Sequence, residues 1–387
     1  MTWLRAAFAV AAIIVIATVA YVHWLLPARV ESGQNVVTRH EPYVVSDRAQ
    51  ALHDSLFIAD LHSDSLLWKR DLRERSDVGQ MDLPRLEQGN VALQVFSATT
   101  KSPAGQNYAR NEAGSDRITL LAVTSFWPAR TWGSLYERAA YQLDELLELT
   151  RSTRLMLITS SEQLQDLVAR RANGEQLIGA VYLIEGAHPL EGDLDNLDRL
   201  FERGLRIAGL THFFDNELGG SLHGVTGEGL TTFGESVVRR ANDLGMIIDV
   251  AHASPEMVAD VLALSGAPVI LSHGGVEGHC DTARNLPDSL MLEITERGGL
   301  VGIGFWDAAV CDTTPAGIVT AIRYAIELLG AEHVALGSDY DGAVTVQFDV
   351  SELAVLTQEM LRSGFTEEEI RLVMGANVRR FLLEQLP

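Results

Sequence analysis

Short unbroken apolar runs recur along the chain, separated by stretches whose apolar residues fall at helical spacing. The runs cover residues 57–61, 91–97, 180–184, 207–211, 246–251, 268–272, 300–305 and 334–338. An apolar run without polar alternation reads as a strand covered on both faces, and such strands belong to parallel sheets. Eight of them alternating with helices is the number that closes a (β/α)8 TIM barrel, an α/β fold. A further run, residues 155–159, reads as an added strand outside the barrel. Helix signals fill the gaps. Residues 135–149 carry apolar positions at helical spacing, Ser254-Pro255-Glu256 reads as an N-cap followed by proline, and Gly245 reads as a C-terminal stop. Thr366 with Glu369 has the spacing of a capping box. Residues 101–132 lack periodicity and read as a long connection after the second strand.

The amino-terminal pattern is of another kind. Residues 6–26 are almost purely apolar, with Trp3 and Trp24 near the ends and Arg5 and Arg29 just outside. That length crosses a bilayer as a helix. A cleaved signal peptide is the rival reading, but its apolar part would be shorter, and Thr18-Val19-Ala20 is a poor cleavage site. Charge decides orientation weakly, because Arg5 and the amino terminus balance Arg29 and Arg39. A short amino-terminal anchor usually leaves the bulk of the chain outside the cytoplasm, here periplasmic. Residues 27–47 look like a polar tether without periodicity. The expected division is an anchor or uncleaved signal over 1–29, a linker over 30–50 and a catalytic barrel over 51–387.

Composition narrows the ligands. The chain has 387 residues, 47% of them hydrophobic and 21% charged, enough for a large core. A formal charge of -22 argues against a phosphate-backbone partner, so nucleic acid is not expected. The only cysteines, Cys280 and Cys311, exclude a disulfide-built scaffold and a Cys-rich zinc module. They follow neighbouring strands, where an oxidising compartment would allow a bond; free thiols are the expectation. Any metal must rest on histidines and carboxylates.

Those residue types collect at the strand ends. The first strand runs into His62 and Asp64, the third into Glu185, the fourth into His212, the fifth into His252, the sixth into His273 and the eighth into Asp339. On an extended backbone His62 and Asp64 project to one side. Singly, each histidine reads as a structural or surface residue. In a barrel, however, strand ends share one face, and matching positions become one site. His23, His40, His53, His188, His223, His279 and His333 show no such register and read as structural. Glu185 is preferred to the nearby His188 because it directly follows its strand. Imidazoles and carboxylates without thiolates suit Zn²⁺, and five ligands exceed the need of one catalytic zinc. A carboxylate can bridge two ions about 3.5–4 Å apart and leave a shared hydroxide as nucleophile, a centre that hydrolyses amides, esters or phosphoesters.

The segments Asp60-Leu61-His62-Ser63-Asp64, Ile184-Glu185-Gly186, Leu210-Thr211-His212, Ile248-Asp249-Val250-Ala251-His252, Leu271-Ser272-His273, Arg284-Asn285-Leu286-Pro287-Asp288 and Gly337-Ser338-Asp339-Tyr340-Asp341-Gly342 resemble, in the same order, the membrane (renal) dipeptidase family of zinc peptidases. The likeness runs over residues 53–383 and includes a closing Gly375-Ala376-Asn377-Val378-Arg379-Arg380. It implies two zinc ions per chain. His62 and Asp64 would bind one, His252 and His273 the other, and Glu185 would bridge them. His212 corresponds to a substrate-binding histidine that polarises the scissile carbonyl, and Asp339 to the acid/base. Arg284 corresponds to the residue gripping the substrate carboxylate, a role its bidentate guanidinium suits independently. The resemblance also suggests a homodimer.

Two places depart from the family. Phe305-Trp306 stands where human-type members have Phe-Tyr, removing a hydroxyl from the substrate pocket, and the loops after the second and fourth strands are individual to this chain. The function expected is a membrane-tethered dizinc dipeptidase acting on free dipeptides through a metal-bridging hydroxide. The alternatives are an amidase of the same fold acting on lactams or N-acyl amino acids, and a catalytically silent metal-binding domain displayed at the membrane.

Overall fold

The structure, a computed structural model, describes residues 2–387. Nine strands in chain order form the main sheet: β1 (Ile58–Asp60), β2 (Val91–Thr99), β3 (Leu155–Leu157), β4 (Ile178–Glu185), β5 (Leu205–Gly209), β6 (Ile247–Asp249), β7 (Ile270–Gly274), β8 (Leu300–Ile303) and β9 (Val334–Leu336). All pair in parallel, and the ring closes through β1 with β9 and β2 with β4. The eight expected barrel strands are the eight observed. The ninth, β3, lies outside the ring. It pairs with the first half of β4, from Leu155 opposite Ile178 to Leu157 opposite Ala180. Further along the same edge β5 takes over, from Tyr182 opposite Leu205.

The unbroken apolar character of the runs follows from burial on both faces. Ala59, Val95, Val181, Leu183, Ile207 and Ile270 join one apolar cluster, which also holds Phe381 and Leu382 of the last helix, Asn377–Gln385. Their strand neighbours Ile58, Phe96, Tyr182, Ile184, Ala208 and Leu271 join another, with the surrounding helices. A strand's side chains alternate between faces, so only a strand covered twice reads as wholly apolar.

Local signals place the helices. Ser254 accepts from the Met257 amide and Thr366 forms a reciprocal capping box with Glu369. Gly245 takes φ 68° at the end of Thr232–Leu244, a conformation that costs a β-carbon-bearing residue more than glycine.

The amino-terminal helix is continuous over Trp3–Gln34, and its most apolar 18-residue window has mean hydropathy 2.3 with none of it buried in the protein. Its length and composition suit a membrane anchor. The first part of the stretch expected to be a tether, residues 27–37, is instead structured and docked, while residues 38–46 carry no helix or strand. The helix makes one π-type turn at Tyr21–Leu25 and continues through Leu26–Gln34. Pro27 has no N–H for the His23 carbonyl, and Lys69 Nζ donates to that oxygen at 2.6 Å. Beyond the helix, Val36 and Val37 pair with Thr345 and Val346. Arg70 Nε donates to the buried carboxylate of Glu31 at 2.6 Å, and its Nη2 donates to Asp341. Glu31 of that stretch is thus paired and buried, while Arg29, Ser32, Arg39 and Glu41 stay exposed.

The cysteine expectation is corrected: Cys280 and Cys311 form a disulfide, with Cα atoms 5.6 Å apart. The loops after β7 and β8 run side by side. Asn285 Nδ2 donates to the carbonyls of Cys280 (2.8 Å) and Ala309 (2.9 Å), and Thr282 Oγ1 to that of Ala308 (2.6 Å). Nothing in the spacing of 31 residues reveals that approach. Closing a loop of this length stabilises the fold by about 4 kcal/mol in the chain-entropy account. The unreduced chain should therefore weigh two hydrogens less than the reduced one, and reduction should lower Tm; identical masses with and without reductant would exclude the bond.

Candidate active site

The carboxyl ends of the barrel strands bring the predicted residues together. Glu185, the last residue of β4, is the centre. Its Oε1 lies 3.2 Å from His252 Nε2, 3.4 Å from His273 Nε2 and 3.5 Å from His62 Nε2, and its Oε2 lies 3.3 Å from His212 Nε2. Asp64 Oδ2 stands 3.6 Å from His62 Nε2, and Asp339 Oδ1 stands 4.0 Å from it. All seven residues are buried. Their donor atoms form three overlapping triads: His62, Asp64 and Glu185; Glu185, His212 and His252; and His62, His273 and Asp339. Glu185 belongs to two of them, as does His62. His188 belongs to none: its ring lies 4.6 Å from that of Phe214, and neither nitrogen has a hydrogen-bond partner.

The donor set fits divalent cations. His62 Nε2 is buried with no hydrogen-bond partner, and the Nε2 atoms of His252 and His273 face each other at 2.9 Å. Ligand atoms at about 2.1 Å from a tetrahedral zinc lie about 3.4 Å from one another, the spacing found around Glu185 Oε1. The electrostatics point the same way. Burial opposes a charge on His62, yet Glu185, Asp64 and Asp339 outweigh it and hold the imidazolium to about 10. Burial, with Asp64 and Glu185 beside it, pushes the Asp339 carboxyl well above the usual range. A centre so rich in buried carboxylates calls for positive charge.

Supporting hydrogen bonds aim the ring nitrogens. Asp249 Oδ1 accepts from the amides of Ala251 (3.0 Å) and Ser272 (2.9 Å), and its Oδ2 accepts from Ser272 Oγ at 2.6 Å. With its proton given to Asp249, Ser272 Oγ accepts from His273 Nδ1 at 2.9 Å, which leaves the Nε2 lone pair turned to the centre. Thr99 Oγ1 sits 3.0 Å from Asp64 Oδ1 and 2.9 Å from Glu185 Oε2, tying two carboxylates together. Asp60 accepts from the Ser338 amide (2.8 Å) and hydroxyl (2.5 Å), and so links β1 to the residue preceding Asp339. Both His252 (φ 64°) and Asp339 (φ 61°) occupy the left-handed region, a strained backbone found where side chains must be aimed. Thr99 was not singled out in the sequence, and Asp249 and Ser272 stood inside the resembling segments without a role of their own. An acid inside an apolar run was the available signal for Asp249.

A cavity of about 530 Å³ opens over the cluster. Arg284 lines it, with its Nη2 donating to the His273 carbonyl at 2.7 Å and standing 3.4 Å from His252 Nε2, while its Nε has no partner. Trp306 lines the same cavity, 5.4 Å beneath the Arg284 guanidinium, and its indole N–H is also unpartnered. Trp306 thus offers the cavity a donor of its own. Tyr108 and Phe213, from the loops after β2 and β5, add aromatic walls.

A parallel barrel holding this cluster at its carboxyl mouth has the architecture of a metal-dependent hydrolase. The particular family follows from comparison: residues 46–385 match the membrane dipeptidase family, peptidase family M19, and the chain belongs to it. Dipeptidase 3 of Macaca fascicularis is 29% identical over 333 residues, spanning 80% of this chain and 67% of that protein. The solved structure of a probable dipeptidase from Pseudomonas aeruginosa shares the fold, with TM-score 0.72 at 21% identity over 88% of this chain and 97% of that one. A metallo peptidase from Rhodobacter sphaeroides, liganded with a phosphinate mimic of the dipeptide L-Ala-D-Ala, gives TM-score 0.68 at 24% identity over 86% and 99% of the two chains.

Ser272→Ala removes the acceptor that orients His273 without touching a donor atom of the cluster. Metal affinity should fall about 10- to 100-fold, read by competition with a chromophoric chelator. Unchanged affinity would show that the Asp249–Ser272–His273 chain does not govern the ring.

Proposed function

We propose that this protein is a dizinc dipeptidase that cleaves the peptide bond of free dipeptides. The observation carrying the reading is the convergence of four imidazoles on the Glu185 carboxylate beside Asp339 and Arg284 in one cavity. His62 and Asp64 would hold one ion, His252 and His273 the other, and Glu185 both. When bound, the ions act as Lewis acids on the scissile carbonyl and make water acidic enough to attack near neutral pH.

The remaining steps belong to the chain. Arg284 grips the substrate's free carboxylate through its unpartnered guanidinium edge, which fixes the scissile bond over the cluster. His212 stabilises the oxygen that gains negative charge as the carbonyl carbon becomes tetrahedral. Asp339 accepts the proton of the attacking water and delivers it to the leaving amine. Burial next to Asp64 and Glu185 raises the proton affinity of Asp339, which suits a group that must hold a proton between the two halves of the reaction. The phosphinate dipeptide mimic held by the Rhodobacter relative supports dipeptides as the substrate class and makes an L,D panel the natural companion to L,L substrates.

The catalytic domain is proposed to lie outside the cytoplasm. The Cys280–Cys311 bond supports this orientation, because structural disulfides form and persist in oxidising compartments.

Chelation should abolish dipeptide hydrolysis. Asp339→Asn should retain its zinc, by elemental analysis, while turnover falls about a hundred- to ten-thousand-fold; unimpaired turnover would exclude the acid/base role. Hydrolysis confined to amides without a free amine would favour the amidase alternative. In intact spheroplasts, external protease should reach the catalytic domain, and complete protection would reverse the proposed orientation.

A further inference from the structure

The membrane helix does more than end near the barrel. Leu26, Pro27 and Val30, at its inner end, line the same cavity as Glu185, His212 and Arg284. Ile118, Leu120 and Leu121 line it as well, from the short helix Ile118–Thr124 in the connection after β2. Val30 keeps 37% of its surface exposed and Leu120 keeps 66%. These are apolar side chains standing open at the border of a cavity whose floor is charged.

The wall they make is held in place. His23 Nδ1 meets the Thr124 carbonyl at 3.0 Å, joining the two helices. Glu31, one residue past Val30, is buried in the ion-pair chain to Arg70 and Asp341. Asn35 Oδ1 accepts from the Ala343 amide at 2.9 Å. Ala343 and Gly342 line the cavity in their turn, in the same loop as Asp339. A buried ion pair tolerates little displacement, since separating its members strands a charge away from water. The anchor's end is therefore built into the site.

From this geometry we infer that Leu26, Pro27 and Val30 form, with the Ile118–Thr124 helix, a subsite for a bulky apolar side chain of the substrate. The inference rests on the dipeptidase reading and adds specificity to it. In that reading the free carboxylate, the scissile carbonyl and the leaving amine are served by Arg284, His212 and Asp339, all on the floor. The substrate's side chains are what remain for the apolar border. A ligand side chain lying there removes apolar surface from water on both partners, so affinity should grow with its size.

The test uses the full chain in detergent micelles. Its native cysteines are paired, so Val30→Cys creates a single alkylatable thiol. In zinc-loaded protein also carrying Asp339→Asn, a phenylalanine-containing dipeptide should slow maleimide alkylation of that thiol at least about tenfold, and glycylglycine at equal occupancy should slow it less. Occupancy is measured by calorimetry. Bound dipeptide with unprotected thiol overturns the subsite and leaves the dipeptidase reading standing. No dipeptide binding, together with no turnover by the unaltered chain, overturns both. In otherwise unaltered protein, Leu26→Ala with Val30→Ala should raise KM for phenylalanine-containing dipeptides about tenfold more than for glycylglycine, with kcat little affected. Equal losses on both substrates would mark the helix as structural only and overturn the assignment.

Discussion

The carboxylate of Glu185 is the constraint on which the rest of the structure depends. It is buried at the mouth of the barrel with four imidazoles around it and two further carboxylates, Asp64 and Asp339, within the same cluster. Three acids removed from water are unfavourable unless positive charge answers them. The protein's own answer is incomplete: a proton held on His62, and the single guanidinium of Arg284. Burial works against charge on His252 and His273, and both are held well below the ordinary imidazole range. Neutral imidazoles with their lone pairs facing the acids are what cations require, so the electrostatics and the donor geometry agree.

The parallel barrel makes such a cluster affordable. The acids and histidines come from six strand ends, only His62 and Asp64 sharing one, so no single loop has to bear the strain of assembling the site, and the apolar layers beneath hold the strands in register. Strain is confined to a few backbone positions, His252 and Asp339 among them, where neighbouring contacts compensate. Leu222 N and Thr211 Oγ1 both donate to the His252 carbonyl, and Gly342 N donates to that of Asp339. Around the rim, long-range ties fasten the loops: the disulfide holds those after β7 and β8, and the Glu31–Arg70–Asp341 chain holds the anchor against the Asp339 loop. The end of the amino-terminal helix and the mouth of the barrel are thereby tied into one connected set of contacts.

Some features were legible because their cause is local. A strand buried on both faces must be apolar throughout, so the eight barrel strands and the outlying β3 stood out as runs. Caps such as Ser254 and Thr366 act within four residues and carry their own signature. The acid and histidine positions were legible as well, because a barrel converts the end of every strand into a position on one face.

What stayed hidden depends on approach between segments far apart in the chain. Thr99 is an unremarked residue until Asp64 and Glu185 are both within 3.0 Å of it. Ser272 matters only because Asp249 takes its proton and His273 uses its lone pair. The disulfide depends on two loops lying side by side, and residues 27–47 looked like a tether because their partners, Arg70, Thr345 and Ala343, lie far away in the sequence. Periodicity and strand-end chemistry by themselves determined the barrel, the anchor and the set of donors, since each arises from neighbouring residues and the two faces of a strand. Tertiary structure alone decided how the donors are aimed, which cysteines meet and that the anchor walls the cavity, because those outcomes are contacts, and a contact belongs to two places in the chain at once.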